Sequence, residues 1–144
     1  MELMTPILLP CVAMVLLTAV VWVRLYVERI GEMREKRIHP QALATSAAAR
    51  ERLTRTNAAD NFRNLFEMPV LFYALCLGLA ITGLGSPWFV TGAWAYVVLR
   101  AMHSWIHITY NRVMHRFKVY ALSSLLLFGL WGGFAWKLLA AQGG

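Results

Sequence analysis

Four apolar stretches, each long enough to cross a lipid bilayer, constrain the fold of this chain more than any other feature of its sequence. They cover about residues 6–37, 57–83, 87–112 and 117–138. A helix rises about 1.5 Å per residue, so roughly 20 apolar residues cross a hydrocarbon core of about 30 Å. Charged residues make up only 15% of the chain, against about 25% in soluble domains. The sequence therefore predicts an all-α, integral membrane four-helix bundle forming one domain over residues 1–144, and argues against an ordinary soluble enzyme.

Positive charge is concentrated in two of the three connections between these stretches. The connection between the third and fourth stretches holds Arg112, Arg116 and Lys118, and the connection between the second and third holds no lysine or arginine. The first connection holds seven basic residues, which are Arg29, Arg34, Lys36, Arg37, Arg50, Arg52 and Arg55. The positive-inside rule predicts that both basic connections lie in the cytoplasm and both termini outside. The net charge of +7 suits the lipid bilayer or a small anionic ligand, and no nucleic-acid motif accompanies it.

A polar cluster interrupts the start of the second apolar stretch. Arg63, Asn64 and Glu67 are spaced three and four residues apart, which places them on one helical face. Ionisable groups inside a span cost about 2.5–3.5 kcal/mol each, so each is a functional hypothesis. Two interpretations remain open: an ion pair that eases the carboxylate into the bundle, or a binding site for a polar ligand.

A second polar stripe lies along the third stretch. Spacings of three, four and four residues place four side chains on one face, with Tyr110 beside them: Arg100, His103, His107 and Asn111. Such a stripe must face other helices or a wet cavity, where it could fix packing or bind a ligand. The two histidines also have the spacing of a metal pair. No glutamate follows His103 as in the zinc protease motif, so we predict no metal site.

Together these clusters resemble the membrane-associated proteins in eicosanoid and glutathione metabolism, the MAPEG family. The resemblance rests on Arg63-Asn64-x-x-Glu67, on Arg100-x-x-His103, and on Arg116 sixteen residues after Arg100. It also covers the length of the chain, the four spans and the long basic first connection. The chain is identified as a bacterial-type member of this family.

The resemblance implies a homotrimer of four-helix bundles, with glutathione as co-substrate between subunits near the cytoplasmic face. It implies that Arg116 lies beside the thiol as the catalytic residue. Eight residues are expected to bind glutathione: Arg34, Arg63, Asn64, Glu67, Arg100, His103, His107 and Tyr110. The chemistry agrees, because arginines match the two carboxylates of the peptide and a glutamate matches its ammonium. A guanidinium near the sulfur also favours the nucleophilic thiolate.

Two positions depart from the family pattern. His107 stands where well-known synthases carry a tyrosine, and Phe117 stands where prostaglandin-type relatives carry a serine. The leading hypothesis is a glutathione transferase or peroxidase of a bacterial inner membrane that acts on hydrophobic electrophiles dissolved in the bilayer. The alternative is a non-catalytic MAPEG-like protein that binds a lipid-like ligand or a membrane partner. A metal-binding membrane protein is the third hypothesis.

Overall fold

The structure is a computed structural model that describes residues 4–142. This part of the chain is helical and contains no β-strand. The helices are α1 (Met4–Glu35), a 3₁₀ turn (Pro40–Leu43), α2 (Ser46–Arg52), α3 (Asn57–Asn64), α4 (Met68–Thr82), α5 (Pro87–Ile108) and α6 (Val113–Gln142). The predicted all-α fold class is confirmed.

Within residues 4–142, three segments are long and apolar enough to cross a membrane. They are Pro6–Glu35, Asn57–Thr82 and Val113–Ala141. The remaining long helix, α5, has 22 residues, which corresponds to about 33 Å at roughly 1.5 Å per residue. It is less apolar because its buried face carries Arg100, His103 and His107. The chain is therefore a helical membrane bundle in which one long helix brings polar groups into the interior.

Helices α1 and α6 each pack against both α4 and α5. In the interior α4 meets α5 through the stacked rings of Phe72 and Tyr96, whose centroids are 4.6 Å apart. Helices α5 and α6 approach closely at Gly92, where an added Cβ would lie 2.6 Å from a Leu130 methyl carbon. This close contact packs the first turns of α5 against the middle of α6.

The second apolar stretch is broken into α3 and α4, where the sequence predicted one helix over residues 57–83. Pro69 is the cause, because proline has no N–H to donate and its ring clashes with the carbonyl four residues earlier, that of Leu65. The chain turns instead through a bond from the Phe66 N–H to the Arg63 carbonyl, at 3.0 Å. The break exposes main-chain carbonyls at the position of the polar cluster.

Helix α6, which corresponds to the fourth predicted span, also differs from the prediction, since it begins at Val113 rather than at residue 117. The Arg116 N–H donates to the Arg112 carbonyl at 3.0 Å, as in a helical first turn. The prediction placed the boundary where apolar residues begin, but basic residues are good helix formers and extend the helix into the connection. Arg116 therefore lies within the first turns of α6, close to the helix N-terminus.

Glu32, near the end of α1, binds the main chain of the connection that leads into α3. Its side chain is only 1% exposed. One carboxylate oxygen accepts from the N–H and the hydroxyl of Thr54, both at 2.7 Å, and the other accepts from the Arg55 N–H at 3.0 Å. Lys36 completes the cluster with an ion pair at 2.6 Å. This buried carboxylate fixes where α3 starts, and hence where the polar cluster lies.

Candidate functional site

A cavity of about 370 Å³ opens between α3, α5 and the start of α6. Its volume falls in the range of about 300–1,000 Å³ that small-molecule sites usually have. Six of its lining residues are ones that the sequence predicted: Arg63, Asn64, Glu67, His103, His107 and Arg116. The other four are Asp60, Val113, Phe117 and Tyr120. The structure therefore brings the polar clusters of the second and third stretches together with Arg116.

Both signs of charge line this cavity. Arg63 and Arg116 contribute guanidinium groups, and Asp60 and Glu67 contribute carboxylates. Arg63 and Asp60 are about half exposed and 3.9 Å apart, so their ion pair is loose and leaves both groups able to bind a ligand. Glu67 is held more firmly, because the Asn64 amide donates to it at 3.0 Å.

Arg100 lies beneath the cavity and does not line it. Its side chain is fully buried, and its Nη2 donates to the Asn64 main-chain carbonyl at 3.4 Å and to the Asn64 side-chain oxygen. The guanidinium also lies 5.6 Å from the centre of the Tyr120 ring, within the range of a cation–π contact. Arg100 thus donates to both oxygens of Asn64 and orients this residue, whose amide in turn donates to Glu67.

Arg116 is held at three points. Its Nη1 donates to Asn111 Oδ1 at 2.7 Å and lies 3.1 Å from His107 Nε2. Its main-chain carbonyl lies 3.2 Å from His103 Nδ1. Since a carbonyl only accepts and a guanidinium only donates, these contacts fix His103 with a proton on Nδ1 and His107 with an unprotonated Nε2. Both histidines therefore position the arginine at the cavity wall.

A sequence model of the MAPEG family matches residues 7–136, nearly the whole chain. The chain belongs to the MAPEG family. The match confirms the family identified from the two polar clusters and agrees with the helical membrane bundle. No curated protein and no solved structure matches the chain significantly.

Two of the predicted glutathione-binding residues of this MAPEG protein lie away from the cavity. Arg34 is exposed at the end of α1, beside a groove formed with Trp22 and Ile30. Tyr110 is 52% exposed, and its hydroxyl lies 3.4 Å from His115 Nδ1. The helical stripe was extended through residue 111, but α5 ends at Ile108, so Tyr110 no longer follows the helical period. The roles assigned to both residues remain predictions.

Asn111 contacts Arg116 from the turn after α5, and not from the helical stripe on which the sequence placed it. It has a φ of 44°, and its N–H donates to the Ile106 carbonyl at 2.8 Å. This left-handed turn, in which asparagine is favoured, directs the chain back toward α6. Its amide nitrogen donates to Asn57 Oδ1 at 2.9 Å, while its oxygen accepts from Arg116. Asn111 therefore links the start of α3 to the start of α6.

Three of the four other lining residues could have been identified from their spacing, and the fourth, Phe117, directly follows Arg116. Asp60 precedes Asn64 by four residues, so it extends the same face of α3. Val113 and Tyr120 lie three residues before and four after Arg116, which places them on its face of α6. Extending each polar stripe by one helical turn would have identified these residues.

The spacing of the two histidines also raised the hypothesis of a metal pair. Within residues 4–142 no three histidine, cysteine, aspartate or glutamate side chains come close enough to hold an ion. The rings of His103 and His107 are 5.8 Å apart, and each already has a nitrogen directed at Arg116. The geometry favours a positioning role over metal binding.

Proposed function

We propose that this protein is a membrane-bound, glutathione-dependent transferase or peroxidase that acts on hydrophobic electrophiles. The MAPEG family, to which the chain belongs, includes such enzymes. The observation that carries the proposal is the pairing of two guanidinium groups with two carboxylates around one cavity. Glutathione has the complementary groups, since it carries two carboxylates and one ammonium. Arg63 would bind a carboxylate and Glu67 the ammonium, which leaves Arg116 for the thiol.

In this proposal Arg116 stabilises the thiolate once the thiol proton has passed to water. The sulfur then attacks an electrophilic carbon, a C–S bond forms, and the leaving group departs with the electrons of its bond. Residues at the N-terminus of α6 also favour negative charge through the unpaired amides of the first turn. Phe117 and Val113 are 60% and 64% exposed at the edge of the cavity. They suit a substrate that arrives from the lipid.

The proposal includes a homotrimer in a bacterial inner membrane, with both termini outside and glutathione between subunits. The charge distribution supports the orientation, because both basic connections lie on one side of the predicted spans. The exposed position of Arg34 supports the assembly, since an arginine outside its own subunit's cavity is free to reach a neighbour's. Cross-linking of the detergent-purified protein tests the trimer.

The direct test is glutathione binding and conjugation by the purified protein. We expect calorimetry to detect glutathione binding at millimolar concentration or below, and chlorodinitrobenzene to give a conjugate at a rate above that of the solution reaction. The absence of binding at millimolar glutathione would contradict the proposal.

Arg63→Gln and Glu67→Gln are expected to weaken glutathione binding about tenfold each, with a much smaller change in turnover at saturation. Each removes one charge-assisted hydrogen bond to an end of the peptide, which contributes to ground state and transition state alike. Equilibrium dialysis and kcat measurements separate the two effects. The control variants are Arg52→Gln and Glu51→Gln, which make the same changes on the exposed helix α2 and should leave both quantities unchanged.

A second candidate function is that of a non-catalytic family member that binds a lipid-like ligand in the same cavity. It is favoured by the contacts of Arg116, whose Nη1 is already directed at His107 and Asn111 rather than at an empty position. A lipid that copurifies in the cavity, together with turnover that does not depend on thiol, would support this candidate over the enzyme.

A further inference from the structure

A second groove lies between α1 and α3 and consists of two neighbouring cavities, one apolar and one basic. It shares only Asp60 and Arg63 with the cavity described above. Its apolar end has a volume of about 440 Å³ and is lined by Val15, Ala19, Trp22, Phe62, Phe66 and Tyr73, among others. Its basic end is smaller, about 70 Å³, and is lined by residues that include Leu25, Arg29, Arg50, Arg55, Asp60 and Arg63. We call the two together the α1–α3 groove.

The two ends follow one face of each helix. On α1 the lining residues are separated by four, three, three and four residues, a spacing that keeps them on one face: Val15, Ala19, Trp22, Leu25 and Arg29. On α3, Ala59 at the basic end and Phe62 at the apolar end are three residues apart. The α1 residues extend over about 21 Å, at roughly 1.5 Å per residue. Half of a bilayer about 40–45 Å thick has the same length, so the groove matches a single leaflet.

The basic end has more positive charge than its neighbouring carboxylates neutralise. Glu28 is bound by Arg24 at 2.8 Å, and Glu35 by Arg55 at 2.7 Å. Within residues 4–142 neither Arg29 nor Arg50 forms an ion pair. The Arg29 Nε is buried and has no hydrogen-bond partner in this part of the chain. Arg29 and Arg50 thus carry positive charges that no carboxylate of the described residues pairs with, and an anion bound between them would neutralise both.

We propose that the α1–α3 groove binds one anionic phospholipid. Its phosphate lies between Arg29 and Arg50, and an acyl chain lies along Trp22 and Phe66. The basic end is small, at about 70 Å³, which suits a compact anion such as a phosphate group. Guanidinium groups bind phosphate oxygens bidentately, and the apolar end lies where acyl chains would be. A single phospholipid molecule has an anionic group for the basic end and an acyl chain for the apolar end.

The test is lipid binding, measured by native mass spectrometry on protein purified in a neutral detergent. We expect phosphatidylglycerol to bind at least tenfold more tightly than phosphatidylcholine with the same acyl chains. Arg29→Gln and Arg50→Gln should each weaken phosphatidylglycerol binding about tenfold, because each removes a charged donor to the phosphate. Arg50 is exposed, so its variant serves if Arg29→Gln does not fold. Trp22→Ala should weaken both lipids equally.

The matched control is Arg112→Gln, the same change at an exposed residue of the connection between α5 and α6, which should leave lipid binding unchanged. Equal binding of the two lipids, or no effect of Arg29→Gln and Arg50→Gln, would overturn the proposal. Competition by inorganic phosphate at similar concentration would show a site for free anions instead. If Trp22→Ala dissociated an oligomer and left lipid binding intact, a second copy of the chain would be the occupant. None of these measurements uses glutathione, so they are independent of the proposed enzymatic activity.

Discussion

Replacing Arg116 with alanine is expected to lower glutathione-dependent turnover about a hundredfold and to change glutathione affinity by less than about threefold. A preorganised donor that acts on developing charge typically contributes about 10²–10³-fold to kcat. On the proposed function Arg116 acts on the ionised sulfur, so its removal affects the chemical step more than the binding of the peptide ends. The measurements are kcat at saturating glutathione and the dissociation constant from equilibrium dialysis, both per folded protein.

The contacts of Arg116 explain why its position, as well as its charge, should matter. His107 and Asn111 hold one edge of the guanidinium, at 3.1 and 2.7 Å. Lysine keeps the charge but lacks the planar fork, so Arg116→Lys should recover only part of the lost turnover. Lys118→Ala is the control, because it removes a nearby exposed charge that does not line the cavity. If Arg116→Ala and Lys118→Ala had equal, small effects, Arg116 would be only a basic anchor of the span.

The polar face of the cavity was predictable because helical spacing survives wherever the helix is uninterrupted. His103 and His107 lie in one regular helix, so their separation of four residues places them on one face, while Arg63 and Asn64 are consecutive at the end of α3. The position of Arg116 beside them rested on the family resemblance. Its place beside the polar face of α5 follows from the short connection over residues 109–112, where the chain turns back at Asn111.

The prediction fails where a helix stops earlier or later than its composition suggests. Tyr110 was placed on the polar stripe of α5, but the helix ends two residues before it and the chain turns at Asn111. No apolar periodicity marks that end, since polar residues continue through it. Likewise Arg100 was expected to line the cavity, and the structure buries it behind Asn64, whose main-chain and side-chain oxygens both accept from it.

The role of Arg34 depends on contacts that a single chain does not contain. In the structure it lies beside Trp22 and Ile30 on an exposed face of α1. A pattern in one sequence identifies residues that share a helical face, but it carries no information about which faces of two separate copies meet. The assignment of Arg34 to the glutathione site therefore depends on the family resemblance and on the proposed trimer.

Replacing Glu32 with alanine is expected to lower the free energy of unfolding by about 3 kcal/mol, since hydrogen bonds to a charged acceptor contribute roughly 1.5–3 kcal/mol each and the variant loses several. The carboxylate is 1% exposed and accepts from the Thr54 and Arg55 N–H groups. Without it these donors lose a charged acceptor, which water replaces only in part. Denaturant unfolding in detergent micelles measures the change. Because Glu32 holds residues 54 and 55, which precede α3, a protease should also cleave the variant faster in this connection.

Glu35 provides the matched control for this prediction. It lies three residues later on α1 and pairs with Arg55 at 2.7 Å, but both side chains are about half exposed, at 58% and 49%. Exposed ion pairs contribute only about 0–1 kcal/mol, so Glu35→Ala should cost little although it removes the same kind of group. Glu32→Gln should fall between the two, because its amide oxygen still accepts one of the bonds. Equal losses for Glu32→Ala and Glu35→Ala would mean that the buried carboxylate does not anchor α3, and that packing of α1 against α3 alone fixes the polar cluster.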